Sequence, residues 1–335
     1  MSDTEAYFYQ DFKREFGQYD LSDEEIHHSY KAEKPHYGLT ETQYFGFSVP
    51  EHDIHAFLYL WYHPNLNVLA AGPMVMQGVK PIGQASEIFD YRNYLPYNQL
   101  DPGLTHFTLD SSYSVEMLEP GRVFRLRYRD DDRDSGYDVT ATAISDVLMW
   151  PSSRHFEQVM RVEGEVRLRG RNYAVDGYNV RDRSWGELRL ENPVAGSPIV
   201  WTTGVFGDDF AFNITGFDDP ELDPVWLGKL PSPAPNPHKF GWMIIDGEPV
   251  VVQTARSLTK YDPLTLMPQS VQIEVQANGR TYDIRGTIKA GAPISPWMNN
   301  RAPICLTRWE CDGRVGWGDL QQVQGNDFLS TMGRF

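Results

Sequence analysis

Gly177-Tyr178-Asn179-Val180-Arg181-Asp182-Arg183-Ser184-Trp185-Gly186-Glu187-Leu188 is the stretch on which the reading of this chain turns. Two arginines, an acid and a tryptophan fall within Arg181–Gly186. A related stretch, Asp312-Gly313-Arg314-Val315-Gly316-Trp317-Gly318-Asp319-Leu320, recurs near the C-terminus. A Trp-Gly-acid-Leu ending used twice predicts one β architecture built twice. Only the first copy is densely charged, so only the first reads as a chemical site.

Working outward, strand signals dominate. Thr42–Val49 is rich in β-formers, Pro50-Glu51-His52-Asp53 reads as a turn, and Ile54–Tyr62 alternates. Leu69–Val79 is a third strand, interrupted by Gly72-Pro73. Leu104–Leu109, Tyr113–Leu118, Phe124–Arg129 and Tyr137–Ile144 follow, then Phe156–Val162 and Glu163–Arg169, which lead into the motif. Beyond it lie Val200–Phe206, Phe210–Gly216, Gly241–Asp246, Glu248–Leu258, Ser270–Ala277, Thr281–Ile288 and Cys305–Cys311. Asn278-Gly279 and Asp246-Gly247 carry the type I′ hairpin signal. Leu230–Pro237 is too proline-rich for a central strand. Ser22 with Glu25 marks a possible short helix start. Helical patterns are otherwise almost absent. The expected fold is all-β: two tandem lipocalin-like barrels or strongly curved sheets. The expected layout is an N-terminal arm over 1–40, a first β domain over 41–192 and a second over 193–335.

Composition bounds the function. A net charge of −16 over 335 residues disfavours a nucleic-acid or anionic-membrane surface. The 13% aromatic content suits half-buried strands and large apolar pockets. Two cysteines, Cys305 and Cys311, exclude a disulfide framework and a four-cysteine zinc site. The acidic N-terminus lacks a secretory pattern, and no apolar run is long enough for a membrane helix. A cytoplasmic protein is expected, with oligomeric state open. The acidic run Asp130-Asp131-Asp132-Arg133-Asp134 lacks calcium-loop spacing and reads as a solvated hairpin tip. His52 and His55 beside Asp53 lack a fourth partner, so no metal is expected.

At the motif the chain resembles the carotenoid hydratase and tocopherol cyclase-like superfamily, which includes hydroxyneurosporene synthase. The resemblance rests on His155-Phe156-Glu157, Asp176-Gly177-Tyr178, Arg181-Asp182-Arg183-Ser184-Trp185-Gly186 and Asp312–Gly318. It covers most of the chain from about Glu41. It implies tandem lipocalin-like barrels and cofactor-free acid chemistry on greasy alkenes. In relatives the residue after the motif's Asp is often His. Here it is Arg183, which cannot give up a proton near neutral pH.

The residues themselves suggest who does what. Adding water to a double bond needs a proton donor in a dry site and a π-face or carboxylate beside the cation. Asp182 is the candidate donor, if burial keeps it neutral. In a strand Arg181 and Arg183 face one way and Asp182 and Ser184 the other, which would separate the acid from its basic neighbours. The plainer alternative pairs Asp182 with an arginine as a structural tie. His155 and Glu157, two apart, form a candidate acid/base pair or a surface pair. Arg181 and Arg183 are candidates for holding a substrate oxygen. Trp185 is either a pocket wall or a core tryptophan, and a bulge before Gly186 could re-aim it. His55, Phe57, Tyr59 and Trp61 should share one face as a lining, with Ala56, Leu58, Leu60 and Tyr62 packing on the other. Trp201, Phe210, Phe212 and Trp297 are the second domain's candidates. Nucleotide and nucleophile-elbow motifs are absent. Two readings remain: a cofactor-independent hydratase or cyclase acting on a hydrophobic terpenoid, steroid or polyketide, and a carrier that binds an apolar ligand unchanged.

Overall fold

The computed structural model describes residues 12–24, 38–96, 100, 104–188, 197–222, 237–296 and 300–332. Their structure is almost entirely antiparallel β, as the sequence predicts. Among them no helix is long and apolar enough to cross a membrane. The chain forms two compact units, Gly17–Gln77 with Gln84–Arg189, and Met1–Phe16 with Gly78–Gly83 and Leu190–Phe335.

The first of these units holds β1 (Leu39–Val49), β2 (Ile54–His63), β3 (Val68–Gln77), β4 (Ile88–Phe89), β5 (Arg92–Pro96) and β6 (His106–Thr108). It continues with β7 (Ser114–Glu119), β8 (Val123–Asp130), β9 (Ser135–Ala143), β10 (Leu148–Met149), β11 (His155–Leu168) and β12 (Arg171–Leu188). The sheet order is β4-β3-β2-β1-β12-β11-β9-β8-β7-β6, with β5 beside β3 and β10 beside β11. The second unit holds β13 (Ile199–Gly207), β14 (Phe210–Phe217), β15 (His238–Ile245), β16 (Glu248–Val251) and β17 (Thr254–Tyr261). β18 (Pro268–Ala277), β19 (Arg280–Ile294), β20 (Asn300–Cys311), β21 (Arg314–Gly325) and the helix α1 (Asn326–Met332) complete it. Its order is β16-β15-β14-β13-β21-β20-β19-β18-β17.

The two orders repeat one path. A three-strand meander opens each sheet, and its first strand pairs with the unit's last strand. The end strands do not pair with one another among the described residues. The units are therefore open curved sheets rather than hydrogen-bonded closed barrels, the second of the two forms expected. The Trp-Gly echo itself is not a structural equivalence. Trp185 stands near the end of β12 and pairs with Glu41 at the start of β1, whereas Trp317 stands early in β21 and pairs with Val205 late in β13.

Alternation explains the curl of the first sheet. Phe45, Phe47, Ala56, Leu58, Leu60, Tyr62, Phe124, Leu126, Val139, Ala141, Met160 and Val162 share one face and pack into a single core. Burial of that apolar face bends the sheet around it. Hairpins close where the sequence indicates: Asp246-Gly247 and Asn278-Gly279 both hold positive φ at both positions. Some boundaries differ from expectation. The two strands expected over Phe156–Arg169 are one, β11, ending at Leu168, because Gly164 keeps pairing through an unusual φ of +147°. Glu248–Leu258 breaks at Val252 and Gln253, whose amides leave to bond Gly241 and Gln276. Near Ser22 there is only a 3-10 turn, Leu21–Glu24, with Asp20 accepting from the Ser22 amide and hydroxyl. At the acidic tip, Asp130, Asp131 and Asp134 face Arg133, Arg129 and Arg167.

Candidate functional site

Strand register places the motif's acid. On the face of the first sheet opposite its core, Asp182 of β12 stands directly across from Glu157 of β11 and from Tyr44 of β1. Tyr44 stands across from Tyr59 of β2, and Tyr59 across from Gly72 of β3. Glu157, Asp182, Tyr44, Tyr59 and Gly72 thus form one row across five strands. A second row runs beside it: His155, Ser184, Thr42, Trp61 and Ala70. At about 4.8 Å per strand, each row spans roughly 19 Å.

Both rows are withdrawn from water. Glu157 and Ser184 are 0% exposed, His155 3% and Trp61 6%. Asp182 is half-buried, with its Oδ1 shielded from solvent. Thr42 and Ser184 share a hydroxyl hydrogen bond of 2.7 Å. The rings form a ladder: Tyr44 to Phe57 at 5.3 Å, Phe57 to Tyr59 at 5.0 Å, Tyr59 to Trp61 at 6.4 Å and Trp61 to His63 at 5.4 Å. Such a ladder offers an apolar wall with π-faces that a cation can approach.

The acid/base pair is held by a hairpin. β10 pairs with the start of β11, and the turn between them brings the Trp150 ring over His155, 4.4 Å away and 12° from parallel. The Trp150 indole donates to both carboxylate oxygens of Glu157 at 2.9 Å, and His155 Nε2 lies 3.3 Å from Glu157 Oε1. Glu157 is therefore oriented by two neighbours, and one of them is a proton carrier.

The arginines go the other way. Arg181 lies between the rings of Phe124 and Phe156, at 4.5 and 4.9 Å, and donates from Nε and Nη2 to Gln158 Oε1 at 2.9 and 2.6 Å. Arg183 sits 5.6 Å over the Trp185 ring and 3.8 Å from the Glu41 carboxylate. Trp185 packs with Phe156 and Met149, and Gly186 takes a φ of +63° just after it. Alternation thus brings Asp182, His155, Glu157, Phe57, Tyr59 and Trp61 together and sets Arg181, Arg183 and Trp185 on the core side. In the second unit Trp201 and Phe212 occupy opposite faces: Phe212 packs edge-on to Trp309 in the core, 5.1 Å away. Phe210 is in the same core cluster. Trp297 lies outside the described residues. Sequence reasoning missed Thr42, Tyr44 and Trp150. Tyr44 was legible by the alternation that revealed Phe57 and Tyr59. Trp150 had only the Trp-Pro-Ser-Ser turn signal ahead of His155.

The second unit holds a constellation of its own. Asp218, 1% exposed, accepts from Tyr261 at 2.7 Å, Thr259 at 3.0 Å and Gln322 at 3.4 Å. Burial pushes its carboxyl up to about 6 against the pull of those donors. A cavity of about 10 Å³ lies beside Ser257, Thr202 and His238, room for one water and no organic ligand.

A family model described as Domain of unknown function (DUF7064) matches residues 21–326. No curated protein matches the chain. Solved structures do share its fold. CghA superposes with a TM-score of 0.55 at 10% identity, over 93% of this chain and 98% of that one. Kievitone hydratase from Nectria haematococca gives 0.54 at 12% identity, over 96% and 99%. An AttH-type protein from Nitrosomonas europaea gives 0.53 at 12% identity, over 85% and 92%. At these identities the likeness establishes the fold alone.

Proposed function

The chain belongs to the DUF7064 family, and we propose for it a hydratase- or cyclase-type activity, using acid chemistry on the alkene of a hydrophobic substrate. The observation that carries this reading is the row Glu157–Asp182–Tyr44–Tyr59: an acid and an oriented acid/base pair on one buried, ring-lined face. That a hydratase shares the fold adds support.

In this mechanism Asp182 gives its proton to one alkene carbon. The π electrons form the new C–H bond and leave a cation on the other carbon. Across the strand pair from Asp182, the Glu157 carboxylate is engaged by the Trp150 indole and by His155. The ring ladder stabilises the cation. Water then adds and gives a proton to the His155–Glu157 pair, or a second double bond of the substrate closes a ring and a proton is lost. Either way the proton returns to Asp182. These steps use only the chain's own groups.

The test is turnover of a panel of prenylated, terpenoid and polyketide alkenes in D2O. One deuterium should enter each product at carbon, and Asp182→Asn should lower the rate by at least a hundredfold while ligand binding persists. Unchanged turnover in Asp182→Asn would remove Asp182 from the mechanism. Binding without turnover across the panel would favour the carrier reading.

A further inference from the structure

The row that contains Asp182 ends on a glycine, and the reason is visible. Gly72 has a φ of +135°, and a Cβ there would lie 2.1 Å from the Asp90 carbonyl oxygen and 3.2 Å from the Tyr91 Cα. The Asp90–Tyr91 link between β4 and β5 therefore runs close alongside Gly72 on the free edge of β3, where no side chain fits between the two backbones. The Asp90 amide bonds the Pro73 carbonyl at 3.0 Å, and the Asp90 carboxylate is held by Tyr128 and Arg92. Held there, Tyr91 lies at the end of the ladder, 6.5 Å from Phe57.

Tyr91 is 9% exposed, and among the described residues its buried hydroxyl has no hydrogen-bond partner. A buried bare hydroxyl costs free energy unless something accepts or donates to it. Tyr113 and Tyr137 have bare hydroxyls too, but both lie in the core of the first sheet. Tyr91 differs in facing the candidate site. Burial, and then the neighbouring Tyr59 phenol, hold its own phenol well above the usual range, so it stays a neutral donor.

We propose that Tyr91 is a specificity-determining residue that donates a hydrogen bond to a substrate oxygen. The substrate is then an oxygenated apolar molecule, bearing a carbonyl or comparable acceptor, rather than a plain hydrocarbon. The Tyr91 backbone lies four strand spacings from that of Asp182, about 19 Å, so the substrate reaches from the acid to the sheet edge. The inference rests on the proposed reading of this face as the substrate site. It supplies the polar hold that Arg181 and Arg183, on the core side, do not.

The test uses benzophenone and diphenylmethane, which differ only in the carbonyl, with binding read by tryptophan fluorescence in the full chain. The unaltered protein should bind the ketone about tenfold more tightly, as one hydrogen bond to an otherwise bare buried donor allows. Tyr91→Phe should erase that preference while leaving diphenylmethane affinity within twofold. Equal binding of the two probes, or a preference that survives Tyr91→Phe, overturns the role of Tyr91 while leaving the face as a site. Binding of neither probe, or quenching that Trp61→Phe leaves unchanged, overturns the reading of the face and the inference with it.

Discussion

At the scale of single residues, the charged motif separates into two jobs by parity alone. Asp182 and Ser184 face Glu157, His155 and Thr42, while Arg181 and Arg183 face the core. Buried guanidinium groups on ring faces and amides are structural supports, costly to strip of their partners. Arg181→Met should therefore change the unfolding midpoint while leaving probe affinity on the opposite face within about twofold; a large affinity loss with no stability change would place Arg181 in binding. Trp150→Phe removes the indole donor to Glu157 and should cost about 1–3 kcal/mol in denaturant unfolding. The Asp182 alternation was legible in the sequence because a period of two requires no knowledge of the rest of the fold. The Trp150–His155–Glu157 stack was not, because a turn's rotamers and register decide it.

At the scale of elements, strands were legible wherever apolar residues alternate and a Gly-containing dipeptide closes the hairpin. β2 is the clearest case, with Ala56, Leu58, Leu60 and Tyr62 in the core cluster and Phe57, Tyr59 and Trp61 outside it. The Gly72-Pro73 interruption of β3 was visible, but not its purpose. β3 stays paired with β2 through it, and what breaks is the other edge, where β4 and β5 attach separately. Gly72→Ala meets both an unfavourable φ and a backbone oxygen, so it should cost about 3 kcal/mol. It should also displace Tyr91. Calorimetry and the ketone preference would check the two consequences separately; a variant as stable as the parent would mean that the Asp90–Tyr91 backbone does not pack against Gly72.

At the scale of the whole molecule, each unit repeats one strand path, and each has its own buried acid. Asp218 ties β14 to β17 and β21 through Tyr261, Thr259 and Gln322. The nearby Arg256 is engaged by Asp219 at 2.7 Å. Because the folded carboxyl titrates near 6 and the unfolded one near 3.8, the folded state holds the extra proton between those values. The stability that proton brings is complete below about pH 4 and lost as pH rises through 6. The loss totals about 3 kcal/mol by pH 7. Asp218→Asn should abolish this component, so the stability difference between variant and parent should grow in the variant's favour between pH 4 and 7. A difference independent of pH would show that Asp218 stays ionised throughout.

The sequence by itself determined the β class, the doubling and the side of the strand on which Asp182 falls. These follow from local alternation and turn chemistry, which act within a few residues. The tertiary structure alone decided that the sheets stay open, that the Trp-Gly echo marks opposite ends of corresponding strands, and that Tyr44 and Tyr91 join Asp182 on one face. Those depend on cross-strand register, including the edge chain packed against Gly72, relations between residues that only folding brings together.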